Sequence, residues 1–405
     1  MSELKRTQLF DIHVAAGGEM VDFGGWEMPI QYPTGILTEH LYTRKHCSLF
    51  DVSHMGRILV EGPQRVEFLQ YVLTSNVAAL EVNRAQYCII PDENGFAIDD
   101  AYLNRFEEDS ILLVVNASNT EKDLVHLREQ VKKFDCTLTD LTSTWGAIAI
   151  QGPETEKIMK TLSGGKEITE QKRNCVNTVE LDGRTALVAK TGYTGEPLGY
   201  EVYLKNEDLI PIWNKMIELG AKPAGLGARD TLRLEGSLPL YGHEMGCDPD
   251  GKEMPIFAVS LAKFAVSFAE EKGDFIGKAA LQKQFDAFTK IADKDYSSMD
   301  VLPKKVMSLC LTDRGVMRAG MPIFRGDEAI GWVTSGTMVP YYDMDGETQL
   351  DTTGKRAIGF CYVASDVCVG DTVEVDCRGR KLKAKIVGRH LKLKSDLYAT
   401  PIFCE

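Results

Sequence analysis

The chain has 405 residues, 44% hydrophobic and 26% charged, and its 46 basic and 59 acidic side chains leave a net charge of −13. That length predicts two or three domains, and the composition is ordinary for a globular protein. The acidic balance argues against a general nucleic-acid binder, which needs a basic surface to release counterions, and no apolar run approaches the ~18–20 residues of a membrane-spanning helix.

In chain order, the opening stretch MSELKRTQLFDIHVAAGG shows neither the apolar h-region of a signal peptide nor a long Arg/Ser-rich transit segment. An internal echo follows. ILVEGPQRVEFLQYVLTSN (58–76) reads as strand, Gly62-Pro63 and helix; AIAIQGPETEKIMKTLSGG (147–165) reads as strand, Gly152-Pro153 and helix, with the Gly-Pro pairs 90 residues apart. Proline suits a helix start because its missing N–H would have had no partner there. GFAIDDAYLNR and SILLVVNASN predict paired strands, followed by a helix at TEKDLVHLREQVKKF. Leu124, Leu127, Val131 and Phe134 form one stripe of that helix, and Asn119 or Thr120 caps it. TALVAKTGY and GYEVYLKN predict a second pair of strands, followed by a helix at DLIPIWNKMIEL that carries Ile212, Trp213, Met216 and Ile217. The repeated β-α-β-β-α order predicts two similar α+β modules. KQFDAFTKIADKDYSSMDVLP is charged and polar and ends in Pro303, which marks 285–303 as a connection. From KKVMSLCLTD (304) onward, short alternating runs are broken by turns at Arg325-Gly326-Asp327, Asp345-Gly346 and Arg378-Gly379, which predicts a small β-barrel or sandwich with no long helix. The ten cysteines sit far apart without a C-x-x-C pair and read as reduced thiols of an intracellular protein.

The same pass yields the candidate chemistry. HLYTRKHCSLFDVSHMG gathers His40, His46, Cys47, Asp51 and His54, but the spacing fits no zinc pattern, so no metal is expected, and no oxyanion motif accompanies Cys47. Asp99 and Asp100 stand side by side in a strand, where a buried carboxylate is costly without a partner. Neighbours on a strand point to opposite faces, so one aspartate makes a structural bond and the other faces a ligand, or both bond the turn after Asn94-Gly95. KTGYTGEPLGYEVYL is glycine-rich around Tyr193, Glu196, Tyr200 and Glu201; a glutamate there accepts two parallel hydrogen bonds from an amino-pyrimidine edge, or is simply solvated. In GLGARDTLRLEGSLPLYGHE, Arg229 and Arg233 share a helix face and suit carboxylate recognition or an internal salt-bridge network. GDFIGKAA lacks the Walker spacing and GAKPAGLGARD lacks the third glycine, so no nucleotide cradle is expected. In CRGRKLKAKIVGRHLKLK, Lys381, Lys383 and Lys385 alternate with apolar residues, either as a solvated strand face or as a docking patch for an acidic carrier.

Taken together, MVDFGGWEMPIQY, RKHCSLFDVSHMG, NGFAIDD, VVNASNTEKD, TGYTGE, GLGARDTLRLEGSLPLYG, DRGVMRAGMPIF and IGWVTSGTMVP run in order from residue 20 to 340 and resemble one family, the aminomethyltransferase or T-protein of the glycine cleavage system. The resemblance weakens at 265–305, where this chain is longer, and after 365, where RHLKLKSDLYATPIF departs from the family tail. It implies an α+β fold: a three-domain cloverleaf with two similar α+β modules of ferredoxin-like type and a C-terminal β-barrel. The implied division is 1–54 with 144–284 as a discontinuous first domain, 55–143 inserted as the second, 285–303 as connection and 304–405 as barrel. The implied reaction moves an aminomethyl group from the lipoyl arm of the H-protein to tetrahydrofolate, a co-substrate, and releases ammonia. Carried over by position, Asp100 is the catalytic carboxylate and Asp99 its structural partner, Glu201 binds the pterin and Arg229 the folate site. Tyr87, Asn116, Tyr193 and Met55 line the pocket, and Tyr398 contacts folate from the tail. Neither nucleic acid nor membrane is an expected partner. The compartment is the cytoplasm for a bacterial source and the mitochondrial matrix for a eukaryotic one. The rivals are a related folate-dependent demethylase, which usually follows a flavin domain, and a non-catalytic folate-binding protein of iron–sulfur maintenance.

Overall fold

Two large sheets that share part of their strand order, beside a small sheet of Lys5–Arg6, Trp26–Gln31 and Glu19–Phe23, carry the chain as far as Pro223. The computed structural model describes residues 3–168, 172–346, 348–392 and 398–404. One sheet runs Val176–Leu181, Arg184–Ala189, Gly199–Lys205, Trp145–Gln151, Ser48–Asp51 and Lys222–Pro223. The other runs Arg84–Pro91, Ala97–Arg105, Ser110–Val115, Gly56–Glu61 and Thr137–Asp140. Read from corresponding edges, the first four strands of each match in order, so the echo in the sequence is an echo in topology. The helices Arg65–Val72 and Thr155–Leu162 follow the two Gly-Pro pairs. Gly62 and Gly152 have φ of 114° and 123°. A Cβ on Gly62 would lie 2.7 Å from the Cys136 Cα, and one on Gly152 only 2.2 Å from the His46 carbonyl oxygen, so both chain crossings require glycine.

Each sheet buries one face under its helices. Thr120–Val131 packs Leu124 and Leu127 against Ile58, Val60, Leu113 and Val115. Asn206–Glu218 packs Leu209, Ile212, Trp213 and Met216 against Ile148, Ile150 and Val202. This is the 3.6-residue stripe meeting the two-residue alternation of a strand. The strands of residues 56–140 leave and rejoin the chain at one neck, which Arg57 closes. Its fully buried guanidinium donates to the carbonyls of Ser53 (2.8 Å), Met55 (2.6 Å), Thr142 (2.8 Å) and Trp145 (2.9 Å).

The expected connection at 285–303 is corrected in its first half. Lys278–Ala292 is a 15-residue helix that buries Leu281, Gln284, Ala287 and Ile291. Gln284 takes a core position by bonding the Gly95 carbonyl (2.8 Å) and the Phe257 N–H (3.1 Å). With Phe257, Phe268, Phe285 and Phe288 this segment joins a core that also takes in Ile89, Ala97, Leu234, Val306, Phe360 and Tyr362. Beyond it, six strands close into a barrel in the order Lys304–Leu311, Thr348–Ala364, Glu328–Asp345, Pro322–Arg325, Thr372–Asp376 and Lys381–Val387. Its interior is filled by Leu309, Ile323, Val333, Val363, Val375 and Ile386. Two strands are longer than the short runs expected, at 18 and 17 residues, and register shifts at Val333/Ser335 and Tyr342/Met344 bend their hairpin. The reading of ten reduced thiols is also corrected: Cys310 in the barrel and Cys404 in the tail form a disulfide across 94 residues, a contact that spacing could not reveal. Among the described residues no helix is long and apolar enough to cross a membrane.

Candidate active site

The strand Ala97–Arg105 alternates as expected, and its two aspartates leave on opposite faces. Asp99 is fully buried beneath the helix Thr120–Val131. It accepts the Asn116 N–H (2.9 Å), Asn116 Nδ2 (2.8 Å) and Asn119 Nδ2 (2.6 Å). Asn119 therefore precedes the helix without capping it, because its amide is committed to Asp99. Asp100 faces the other way. Its Oδ2 accepts the Tyr87 hydroxyl (2.9 Å) and its Oδ1 accepts Asn116 Nδ2 (2.6 Å). Burial, then the charge of Asp99, push the Asp100 carboxyl up to about 7, against the pull of Tyr87 and Asn116. Asn116 thus spans both carboxyls with one amide.

Glu201, on the strand Gly199–Lys205, and Arg229, on the helix Leu226–Glu235, form the second group. Arg229 Nη2 stands 3.9 Å from Glu201 Oε1, too far for a hydrogen bond, and Arg229 Nη1 is buried without a partner among the described residues. The Tyr203 hydroxyl donates to Glu201 Oε2 at 3.2 Å. Burial raises the Glu201 carboxyl above its usual range and lowers the Arg229 guanidinium. A carboxylate and a guanidinium that face each other without closing can each still bind a ligand. Tyr193 joins the two groups. Its ring lies 5.5 Å from the Arg229 guanidinium, its hydroxyl donates to the Pro239 carbonyl, and Asp100 and Arg229 are both close enough to act on its ionisation. A groove of about 800 Å³, lined by Tyr87, Arg84, Asn174, Phe264 and Phe268, opens beside Tyr87.

Asp100, Tyr87, Asn116, Tyr193, Glu201 and Arg229 are thus brought together. Met55 is half-buried against the cluster of Phe50, Val114 and Tyr203, at the edge of the Glu201 group. Tyr398 is set apart: its electrostatic neighbour is Lys45, itself paired with Asp351 near the long barrel hairpin. The histidine-rich run disperses. His40 is buried against Thr231 and Glu235, His46 sits by Glu154, and His54 meets the Phe23 ring. Among the described residues no group of three or more His, Cys, Asp or Glu is placed to hold a metal. Arg233 builds a network, not a ligand clamp, with Asp230 (2.8 Å), Glu244 (2.8 Å) and Ser335 (2.9 Å). Lys381, Lys383 and Lys385 do share an outer face of the barrel, but the register sets Lys381 opposite Asp376 and Lys383 opposite Glu374, and Lys381 also pairs with Glu374 at 3.5 Å. Acidic neighbours so close favour the solvated face over a docking patch. The run's last residues, Leu393 and Lys394, lie outside the described residues.

Sequence reasoning missed Tyr102, Asn174 and Asp123. Tyr102 lies two residues from Asp100 on the same strand face, and period two alone could have found it. Its hydroxyl donates to Asn174 Oδ1 at 2.5 Å, and Asn174 takes a positive φ of 65°. No local signal joins those two, which lie 72 residues apart.

Comparison with known proteins identifies the family. The family model described as the GCVT N-terminal domain matches residues 9–263. The aminomethyltransferase of Pseudothermotoga lettingae is 39% identical over 388 residues, covering 95% of this chain and 97% of the relative. That of Bacillus cereus (strain AH187) is 40% identical over 395 residues, covering 96% and 98%. The crystal structure of glycine cleavage system aminomethyltransferase T from Bartonella henselae superposes with a TM-score of 0.79 at 29% identity, covering 98% of this chain and all of that one. With a family model spanning more than half the chain and relatives matching it almost from end to end, the chain belongs to the aminomethyltransferase family, the T-proteins of the glycine cleavage system.

Proposed function

We propose that this transferase moves the aminomethyl carbon from the lipoyl arm of an H-protein to tetrahydrofolate and releases ammonia. The observation that carries the reading is Asp100: a desolvated carboxylate, raised to about 7, held from two sides by Tyr87 and Asn116 and joined through Tyr193 to the open Glu201–Arg229 pair. A folate nitrogen that attacks the aminomethyl carbon gains positive charge, and a fixed anion at Asp100 stabilises it there. A group poised near neutrality can also accept and return the proton that the nitrogen sheds. Glu201 faces the amino-pyrimidine edge of the pterin, and Arg229, with its free Nη1, takes a pterin or carboxylate oxygen. Tyr87, Tyr193 and Met55 supply ring and thioether surface. The domain division belongs to the same proposal: residues 1–54 with 144–284, the insertion 55–143 and the barrel from 304 meet as three lobes around this pocket. The contact of Tyr398 with folate would require the tail to close toward it.

The test is turnover of purified protein with tetrahydrofolate and an aminomethylated lipoyl carrier. Equal yields of 5,10-methylenetetrahydrofolate and ammonia, lost when folate is omitted, support the reading. Folate binding without product, or turnover only with N-methyl or S-methyl donors, would replace it with one of the rivals.

A further inference from the structure

Behind Asp99 lies a third carboxyl that the mechanism does not use. Asp123 sits in the first turn of the helix Thr120–Val131 and is fully buried, yet among the described residues neither of its oxygens accepts a hydrogen bond from an amide, hydroxyl or cation. Among the described residues, the polar side chain set against it is that of Asp99. Three carboxyls are therefore packed together, Asp99 and Asp123 fully buried and Asp100 half-buried beside them, and the groups bonded to Asp99 and Asp100 are two asparagines and a tyrosine, not cations. Three anions cannot share such a place, because burial and like charge both oppose ionisation. A proton must lie between Asp99 and Asp123. Asp99 already accepts three donors and Asp123 accepts none among the described residues, so a hydrogen carried by Asp123 is the one that finds an acceptor. The proton belongs to Asp123.

We propose that Asp123 is a positioning residue that stays protonated at working pH: its carboxyl O–H donates to Asp99, and that bond, relayed through Asn116, sets the orientation and the charge of Asp100. Burial, then the charge of Asp99 and the bond to it, raise Asp123 to about 10, the direction that the donor count demands. The other groups facing Asp123 are Asp100, Lys122 and Tyr241. Lys122 spends its ammonium on the Tyr241 hydroxyl (3.1 Å) and over that ring (4.8 Å), so its charge favours ionisation of Asp123 only from a distance, without outweighing burial and Asp99. The relay is short. Asn116 Nδ2 touches Asp99 at 2.8 Å and Asp100 at 2.6 Å, so a turn of Asp99 would carry the amide, and with it Asp100. A protonated acid behind Asp99 also draws off part of its charge. That is the charge which, after burial, most opposes ionisation of Asp100.

The inference rests on the reading of Asp100, and its test separates the two. An infrared difference spectrum between the wild type and Asp123→Asn at about pH 8 should show the C=O band of a protonated carboxylic acid in the wild type alone. Absence of that band overturns the proposal, whatever Asp100 does. The pH dependence of kcat then tests the relay. Asp123→Leu removes the donor, leaves Asp99 more negative and should move the acid limb upward by roughly one unit, the tenfold change of a lost charge-assisted bond. Asp123→Asn keeps a donor in the same place and should hold the limb where the wild type has it. A limb unmoved in Asp123→Leu, or moved equally in both variants, overturns the relay. Should the leucine variant fail to fold, the band and the asparagine profile still decide. If Asp100→Asn turns over normally while the band is present, the relay falls together with the reading of Asp100.

Discussion

Replacing Asp100 by asparagine removes one charge from the pocket and almost nothing from its shape. The Oδ1 side is unchanged, so Asn116 Nδ2 keeps its acceptor at 2.6 Å. On the other side an NH₂ replaces Oδ2, and the Tyr87 hydroxyl, at 2.9 Å, turns from donor to acceptor. Folate affinity should therefore stay within a few-fold, as read by titration calorimetry. Turnover should not: losing one electrostatic stabiliser of a transition state costs about 2.7–4 kcal/mol, or 10²–10³ in kcat. The pH profile gives an independent check. The Asp100 carboxyl is raised to about 7, so its active anion is present above that pH and kcat falls as pH drops through it. The limb should disappear in Asp100→Asn. Asp99→Asn should instead lower stability, because Asn116 and Asn119 would face an amide in place of a carboxylate. A variant at position 100 that keeps its acid limb and loses less than about tenfold in kcat, or a dead Asp99→Asn of normal stability, would refute the assignment of the pair.

Three further outcomes are expected. Glu201→Gln should raise the tetrahydrofolate dissociation constant more than it slows the bound complex, since a misplaced amide donor leaves a buried group unsatisfied at about 1–3 kcal/mol; an unchanged constant would remove Glu201 from the site. Glu235→Gln should cost about 3–5 kcal/mol of stability by denaturant titration, because His40, Arg44 and Arg356 all converge on that buried carboxylate; a loss under about 1 kcal/mol would show that the cations find other partners. His54 and His390 are pushed by burial down to about 4 and about 3. The unfolded chain takes up protons first, so stability should fall as pH drops below about 6.5, by up to ~1.4 kcal/mol per pH unit per histidine, and His390→Gln should flatten that slope.

What the sequence made legible is what local rules control. Period-two alternation separates Asp99 from Asp100, helical stripes place Leu124 and Ile212, and the two Gly-Pro pairs announce the repeated topology. The misreadings share a cause. Residues 285–292 read as a linker although they complete the helix Lys278–Ala292, whose buried stripe includes the polar Gln284, held by a carbonyl 189 residues away. The Cys310–Cys404 bond and the Tyr102–Asn174 bond join positions 94 and 72 residues apart. Asp123 stands one turn from Asn119 and looks like an ordinary acidic residue near a helix start, where the dipole favours it. Only the packing of that helix onto the aspartate strand changes its meaning.

The neck at Arg57 bears on how the chain is made. The strand Ser48–Asp51 pairs with Trp145–Gln151 and Lys222–Pro223, while all strands between residues 56 and 140 pair among themselves. On the ribosome, at roughly 5–20 residues per second, the earlier strand waits about 5–20 s for the partner that follows the inserted sheet. Its four residues, all buried in the finished protein, stand unpaired for that interval. The last strand of the inserted sheet ends at Asp140, and the guanidinium gains its final two acceptors at Thr142 and Trp145 just before the waiting strand can dock. Arg57 therefore sits where a latch would, between the sheet that closes first and the sheet that was begun first. Stalled or slowed synthesis between residues 60 and 150 lengthens the interval in which that strand stands without its partners.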